Sequence, residues 1–259
     1  MTTNSLKGFT FIVRFTTAQF KEHTQKLVRR TYLIPPPSVI AGFIGAILGL
    51  KRYELVKLSE EMWAGAELKS LEGQLITLAR IYKLKRGVEG IIKQFYINRR
   101  KVYKEVREIL TIKEDQALFR PTYKFALASS RESLINEAIS RLKNLDFEYD
   151  VFGGNDYHFV EYIGDVKTAS VEASREGSGY CPREYFENIK AYSYSAVPDL
   201  SKLKQLKTPL IVPATFLADI HAEYIQVFGA EIITSKELLV VNDGDSKVYV
   251  HKVKPFLAM

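Results

Sequence analysis

A segment rich in basic and aromatic residues is the part of this sequence best suited to bind a polyanion. Residues 81–108 contain nine basic and three acidic residues, so they carry nearly all of the net charge of +7. The basic residues are Lys83, Lys85, Arg86, Lys93, Arg99, Arg100, Lys101, Lys104 and Arg107, and they are interleaved with Tyr82, Phe95, Tyr96 and Tyr103. Basic side chains neutralise phosphates, and aromatic rings stack on bases. A merely solvated basic surface would gain nothing from the rings, so the segment predicts contact with a nucleic acid.

A second group of candidate residues lies beside a predicted helix near the N-terminus. Arg29, Arg30 and Tyr32 come just before the prolines at positions 35–37. These prolines exclude a helix before residue 36 but suit its first turn, which predicts a helix over residues 37–50. Its glycines, Gly42, Gly45 and Gly49, would share one face. That face either packs on the protein's own sheet or lets a nucleic-acid backbone approach, beside a helix N-terminus that suits phosphate.

Two adjacent glycines, Gly153 and Gly154, form the third candidate. They lie in the sequence Phe-Gly-Gly-Asn-Asp-Tyr, which by composition is a loop with backbone N–H groups available to a ligand. The pattern differs from G-x-G-x-x-G and lacks the strand and helix that accompany that motif, which argues against a dinucleotide site.

Metal and nucleophile chemistry find no support in the sequence. The four histidines lack metal-ligand spacing, and the single cysteine, Cys181, cannot complete a zinc site. Neither a G-K-[ST] loop nor a G-x-S-x-G motif is present. We therefore expect no cofactor. Because one cysteine fits a reducing compartment and no secretory or membrane-spanning pattern is apparent, we expect a cytoplasmic protein.

Hydrophobic periodicity predicts the elements that would position these residues. Residues 8–15 are typical of a strand with one apolar face, formed by Phe9, Phe11, Val13 and Phe15. Strands are also predicted at residues 75–84, 121–128 and 166–173. A helix that ends near residue 143 would begin at a capping box of Ser129 and Glu132. Its inward residues would be Leu134, Ile135, Ala138, Ile139 and Leu142.

The resulting order of strand, helix, strand, strand, helix and strand is that of a ferredoxin-like unit with a long insertion before its third strand. We therefore predict an α+β fold. The division into domains would be residues 1–176, with the insertion at about 85–118, and a smaller β-rich module over residues 177–259. Near the C-terminus, residues 237–253 are predicted to form a hairpin that closes around Asp243 and Gly244.

Two stretches of this sequence resemble a known family. The string F-T-F-I-V-R-F-T-T-A-Q-F-K, followed by R-R-T-Y-L-I-P-P-P-S-V-I-A-G-F-I-G-A-I-L-G, resembles the opening of the fifth numbered Cas family within the RAMP superfamily. The later string F-G-G-N-D-Y-H-F is similar to the glycine-bearing segment of that family. The resemblance is clear over residues 8–50, weaker over 147–166, and points to the I-A or I-B branches.

This resemblance implies a RAMP fold with an RRM-like N-terminal domain and a protruding thumb, which would correspond to the basic insertion. It implies one copy in a type I CRISPR effector complex (Cascade), at the foot of the backbone, for antiviral defence. The partners would be the 5′ handle of the crRNA, the repeating backbone subunit and the large subunit, with target DNA as a further partner within the complex. Arg29, Arg30 and Tyr32 would meet the handle, with Gly153 and Gly154 nearby, and the basic segment would clamp the RNA backbone.

One branch of the family cuts precursor RNA with a Tyr, a Lys and a His. This chain has Leu48 where that Tyr would lie and no adjacent Lys-His pair after it, so we expect a binding protein rather than an enzyme. Two alternatives remain open. The first is a metal-independent endoribonuclease, for which Tyr32 and His23 are the remaining candidates. The second is a protein-only scaffold whose basic segment meets acidic partner surfaces.

Overall fold

The structure is a computed structural model that describes residues 6–22, 28–82, 110–154, 157–191, 210–216 and 223–254. Within these residues the chain forms three α-helices, thirteen strands and a 3-10 turn at Arg183–Tyr185. The helices are α1 (Pro37–Ile47), α2 (Arg52–Ser59) and α3 (Glu132–Asn144). The strands are β1 (Lys7–Phe15), β2 (Thr17–Ala18), β3 (Val28–Arg29), β4 (Met62–Ser70), β5 (Gly73–Tyr82), β6 (Leu110–Phe119), β7 (Thr122–Ser129), β8 (Val160–Pro182), β9 (Phe186–Ala191), β10 (Leu210–Thr215), β11 (Glu223–Asn242), β12 (Lys247–Tyr249) and β13 (His251–Lys252). None of the helices in the described ranges has the length and apolar character needed to cross a membrane.

Four strands form the centre of the larger sheet in the order β8-β1-β7-β4, and each neighbouring pair is antiparallel. Along the chain these strands alternate with two helices as β1-α1-β4-β7-α3-β8, with α2 added after α1 and β5 and β6 inserted before β7. This is the order of a ferredoxin-like unit. The prediction of an α+β fold with an insertion before the third strand is confirmed.

The core lies between this sheet and the helices. The predicted apolar face of β1 is confirmed, because Phe9, Phe11, Val13 and Phe15 are all fully buried. Phe11 meets Phe125 edge to face at 5.4 Å between ring centroids. Such contacts between rings add to the free energy gained by burying them.

Helix α3 buries the predicted residues, Leu134, Ile135, Ala138, Ile139 and Leu142. The predicted capping box is wrong, because the helix begins two residues later than a cap at Ser129 requires. Arg131 is the N-cap residue, and no side chain caps the helix. Ser129 instead continues β7, where it pairs with Met62, and its hydroxyl donates a hydrogen bond to the Glu61 carbonyl.

A smaller sheet of β2, β3, β5 and β6 stands beside the larger one. Strands β5 and β6 form a two-stranded ribbon that is paired from Gly73 and Phe119 to Tyr82 and Leu110. The predicted insertion at residues 85–118 therefore includes β6 from residue 110 onwards. Residues 83–109, which join the two strand ends, lie outside the described part of the chain.

The C-terminal strands extend the larger sheet. β8 pairs with β1 over its first half and with β11 over its second half, so the boundary predicted after residue 176 falls within one strand. The predicted hairpin around Asp243 and Gly244 is confirmed, with Val240 paired to Tyr249. After it, β13 pairs with β4 at the opposite edge of the sheet.

Candidate nucleic-acid interface

The hairpin turn after β11 covers part of the sheet face that points away from α1 and α3. Asp243 accepts hydrogen bonds from the Thr10 hydroxyl and the Lys124 ammonium, both at 2.8 Å. Ser246 bonds Glu67 on β4. RRM domains bind RNA by stacking bases on the exposed face of the sheet. The turn occupies part of that face here, so less of the face is open to a nucleic acid.

Gln19, a buried residue just after β2, connects three of the predicted site features. Its backbone N–H donates to the Gly153 carbonyl at 2.7 Å. Its side-chain amide donates to the Gln116 carbonyl on β6 at 2.9 Å. The preceding residue in β6, Asp115, pairs with Arg29 at 3.5 Å. These contacts therefore hold the glycine turn, the middle of the β5–β6 ribbon and Arg29 next to one another, and the exposed residues among them are the candidate binding surface.

Gly153 and Gly154 lie so close to the backbone of residues 17–19 that a larger side chain would not fit at either position. A Cβ on Gly153 would lie 2.9 Å from the Thr17 carbonyl oxygen, and one on Gly154 would lie 2.0 Å from that of Gln19. Gly154 also has a φ of 112°. The Gly153 N–H donates to the His158 carbonyl, so it is not available to a ligand as the sequence suggested. The turn positions the surface, and exposed Gly154 lies at its edge.

Two cations, Lys21 and Arg30, lie on the segment pair formed by residues 21–22 and 30–31, and a third, Arg29, directly precedes Arg30. Lys21 bridges to Thr31, and the Glu22 N–H donates to the Arg30 carbonyl at 3.0 Å. The side chains of Lys21 and Arg30 are exposed, and Arg29 is half-buried beside Asp115. Burial raises the pKa of the Glu22 carboxyl, and nearby Arg30 opposes that shift. Lys21 was not a predicted site residue. Its backbone pairing with Thr31 is what places it beside Arg30.

The predicted basic segment connects the ends of the β5–β6 ribbon. The predicted RNA-binding residues that lie outside the described part of the chain are Lys83, Lys85, Arg86, Lys93, Arg99, Arg100, Lys101, Lys104 and Arg107. The strand that leads into the segment and the strand that follows it end opposite each other, at Tyr82 and Leu110. The middle of the same ribbon carries Gln116 and Asp115 of the surface described above.

Tyr32 is a core residue, which corrects the prediction that its ring meets a base. It is only 4% exposed, and its ring packs edge to face on Phe216. Its hydroxyl donates to the Thr215 carbonyl. Burial and, to a smaller extent, the Glu22 carboxylate raise the pKa of Tyr32 to about 12. A neutral phenol held by a backbone carbonyl is poorly placed for acid–base catalysis, which weakens the Tyr32 and His23 alternative. His23 lies outside the described residues.

We expect the Tyr32→Ala protein to lose about 3–5 kcal/mol of unfolding free energy, as is typical for a buried aromatic ring. Tyr32→Phe, which removes only the hydroxyl, should cost about 0.5–1.5 kcal/mol. RNA affinity of the Phe variant should equal that of the parent. Denaturant melts and RNA titrations of both variants test this. A loss of RNA affinity in Tyr32→Phe without loss of stability would return Tyr32 to the binding surface.

The three glycines near α1 have different surroundings and do not form one face. Gly45 packs on Leu55 of α2, with a closest approach of 3.1 Å for an added Cβ. Gly49 lies after the helix end with a φ of 71°. A Cβ on Gly42 would meet nothing within 4 Å. Of these three glycines only Gly42 is therefore open to a ligand, and Gly45 packs on the neighbouring helix rather than on the sheet.

Alanine at Gly154 and at Gly42 should have opposite effects on stability. Gly154→Ala forces a side chain against the Gln19 carbonyl at a positive φ, which should cost roughly 1–3 kcal/mol. Gly42→Ala removes glycine from a helix interior without a clash, which should add up to about 1 kcal/mol. Thermal melts of both variants give the comparison. Destabilisation by Gly42→Ala, or none by Gly154→Ala, would contradict these surroundings.

Comparisons with curated sequences and solved structures give only distant likenesses. Curated protein sequences give no match to this chain. Among solved structures, a chain of a CRISPR RNA-guided surveillance complex is 11% identical, with a TM-score of 0.46 over 89% of this chain and 91% of that one. A functionally uncharacterized protein from Streptococcus mutans is 12% identical, with a TM-score of 0.37 over 90% and 96%. A chain of a Type III-B Cmr-beta complex bound to cognate target RNA and AMPPnP is 12% identical, with a TM-score of 0.31 over 86% of each chain. With TM-scores below 0.5, these likenesses carry no argument.

The family comparison is decisive. The family model described as CRISPR-associated protein (Cas_Cas5) matches residues 10–196. The match includes β1, α1, the β5–β6 ribbon and the glycine turn, and it covers more than half of the chain. The protein therefore belongs to the Cas5 family of CRISPR-associated proteins.

Proposed function

We propose that this protein is the noncatalytic subunit that holds the 5′ handle of the crRNA in a type I CRISPR effector complex. One observation carries the proposal. The hydrogen bonds of Gln19 join the glycine turn to the middle of the ribbon that leads to the basic segment, and Arg29 lies beside them. An RNA strand on this surface would meet Arg29, Arg30 and Lys21 and could continue toward the basic residues between β5 and β6. Phosphate contacts of this kind position a nucleic acid without reading its bases.

The noncatalytic part of the proposal rests on the side chains of Tyr32 and Leu48, two of the three positions considered for catalysis. The Tyr32 phenol is buried and donates to a backbone carbonyl. Leu48, at the end of α1, is half-buried against the core and has no group that can transfer a proton. General acid–base cleavage of RNA needs such groups within hydrogen-bond reach of the 2′-OH and the leaving oxygen.

Co-expression with a CRISPR array tests both parts. The chain should copurify with RNA that keeps the repeat-derived sequence at its 5′ end. The purified chain should leave a labelled repeat hairpin intact over hours, with or without Mg²⁺. Site-specific cutting that disappears in His23→Ala would overturn the noncatalytic part. Copurification with partner subunits but no RNA would favour the protein-only scaffold instead.

A further inference from the structure

An open apolar groove lies between the C-terminal end of α3 and the start of β8. It has a volume of about 620 Å³, which is within the range of binding pockets in proteins. Its floor includes Phe147, Val151 and Ile163, which are partly buried and pack on the main core. The floor is therefore fixed by the fold, and the open side faces solvent.

The rim of the groove exposes large apolar side chains to water. Leu145 is 61% exposed, Phe159 58% and Tyr162 41%. Single exposed apolar residues are ordinary, but several around one groove indicate an interaction surface. The Phe159 ring lies 6.0 Å from that of Phe152, and Phe152 directly precedes the glycine turn. The groove thus borders the surface proposed for RNA without being part of it.

Leu145 has a backbone conformation that is unfavourable for leucine. It ends α3 with a φ of 53°, in the left-handed region. Glycine or asparagine usually occupies that position, because a Cβ there is strained. The fold gains little buried surface in return, since Leu145 is 61% exposed. Strain combined with exposure suggests that this leucine serves a contact outside the chain.

The charge at the groove is opposite to that of the whole protein. Among the described residues that line it, the charged ones are Asp150 and Glu161, and Glu161 is paired with Arg120 at 2.7 Å, so Asp150 is the carboxylate on which the argument rests. Residues 145–150 alternate Leu145, Phe147 and Tyr149 with Asp146, Glu148 and Asp150. Acidic side chains repel phosphates, so exposed aromatic rings in this setting are poorly suited to RNA. They suit a peptide whose apolar side chains are flanked by lysine or arginine.

We propose that this groove docks a segment of a partner protein in which leucine or phenylalanine side chains are flanked by basic residues. The apolar side chains enter the groove over Phe147 and Val151, and the flanking cations meet Asp150 and its acidic neighbours. The proposal is independent of RNA binding. Its position beside the glycine turn would put that partner next to the RNA surface.

Fluorescence anisotropy with two labelled peptides tests the proposal. Both carry the same spaced leucine and phenylalanine residues, one with lysine and arginine between them and the other with glutamate and aspartate. The basic peptide should bind at least about tenfold more tightly than the acidic one. Phe159→Ala and Asp150→Lys should each weaken its binding about tenfold or more. Ile211→Ala removes a 43% exposed residue of β10 and should leave the binding unchanged.

The variant Leu145→Asn distinguishes a loss of peptide binding from a loss of stability. It should keep or raise the melting temperature, because asparagine tolerates the left-handed conformation, and it should weaken binding of the basic peptide. Absence of binding by both peptides, or equal binding of the two, would overturn the proposal. So would binding of single-stranded RNA that Phe159→Ala weakens as much as it weakens the peptide, since the groove would then be a nucleic-acid site.

Discussion

Asp243→Ala should lower the unfolding free energy by about 3–5 kcal/mol, because it leaves the Lys124 ammonium buried without its counter-charge. The two groups are 2.8 Å apart, with side chains that are 7% exposed for Lys124 and 1% for Asp243. Thr10 and the backbone of Ser246 also donate hydrogen bonds to Asp243. Without the Asp243 carboxylate the hairpin turn would lose its contacts with the sheet face. We therefore expect a large decrease in the unfolding free energy.

The same carboxylate should make stability depend on pH. Burial by itself would raise the pKa of Asp243, but hydrogen bonds from Lys124, Thr10 and Ser246 outweigh it and hold the pKa well below its usual range. The unfolded chain then binds a proton more readily than the folded one. This contribution is complete above about pH 4, near the ordinary aspartate pKa, and is lost as the pH falls toward the folded-state pKa.

Urea melts of Asp243→Ala and Asp245→Ala at several pH values test this account. Asp245 is in the same turn and pairs with Lys167, but its side chain is 64% exposed. Exposed ion pairs contribute little, so Asp245→Ala should change stability only slightly. Equal effects of the two substitutions would contradict the role assigned to Asp243. A parent protein whose stability stays constant from neutral pH to below pH 4 would contradict it as well.

Replacing Arg99, Arg100 and Lys101 together with alanine should flatten the salt dependence of RNA binding. Each phosphate contact with a single strand contributes about −0.7 to the slope of log K against log salt. Three lost contacts would change that slope by roughly two units. All RNA sequences should be weakened to a similar degree, because phosphates carry no base identity.

A matched triple variant elsewhere controls for net charge. Lys57, Lys143 and Lys252 are exposed and distant in sequence from the ribbon, so replacing them with alanine removes the same charge from other surfaces. The slope of this variant should stay near that of the parent. If the two triple variants behave alike, the basic segment does not hold the RNA through local contacts.

Local patterns predicted the elements well, and long-range contacts explain what they missed. The alternation of Phe9, Phe11 and Val13 fixes the buried face of β1, and helical spacing from Leu134 to Leu142 fixes that of α3. Both signals are contained within one element. By contrast, the burial of Tyr32 depends on Thr215 and Phe216, which are far along the chain. The start of α3 depends on β4, since pairing with Met62 keeps Ser129 in a strand.

In the candidate site, too, local motifs predicted some residues, and contacts between distant parts of the chain supplied the others. The family strings pointed to Arg29, Arg30 and the glycine turn, and the structure brings Arg29 and that turn to one surface. Gln19 and Asp115, which connect them, belong to no motif. The contact of Asp243 with Lys124 also belongs to no motif. It joins residues more than a hundred positions apart and holds the hairpin turn over part of the sheet face. The roles of the basic residues between Lys83 and Arg107 stay predictions.

The most direct test of the proposed function is an equilibrium titration with two RNAs of the same composition. One carries the repeat-derived handle at its 5′ end, and the other carries it at its 3′ end. The proposal predicts that the chain binds the first at least about tenfold more tightly, a difference of about 1.4 kcal/mol, and leaves both intact. Equal affinity for the two RNAs, or no binding to either, would contradict the claim that this protein holds the 5′ handle.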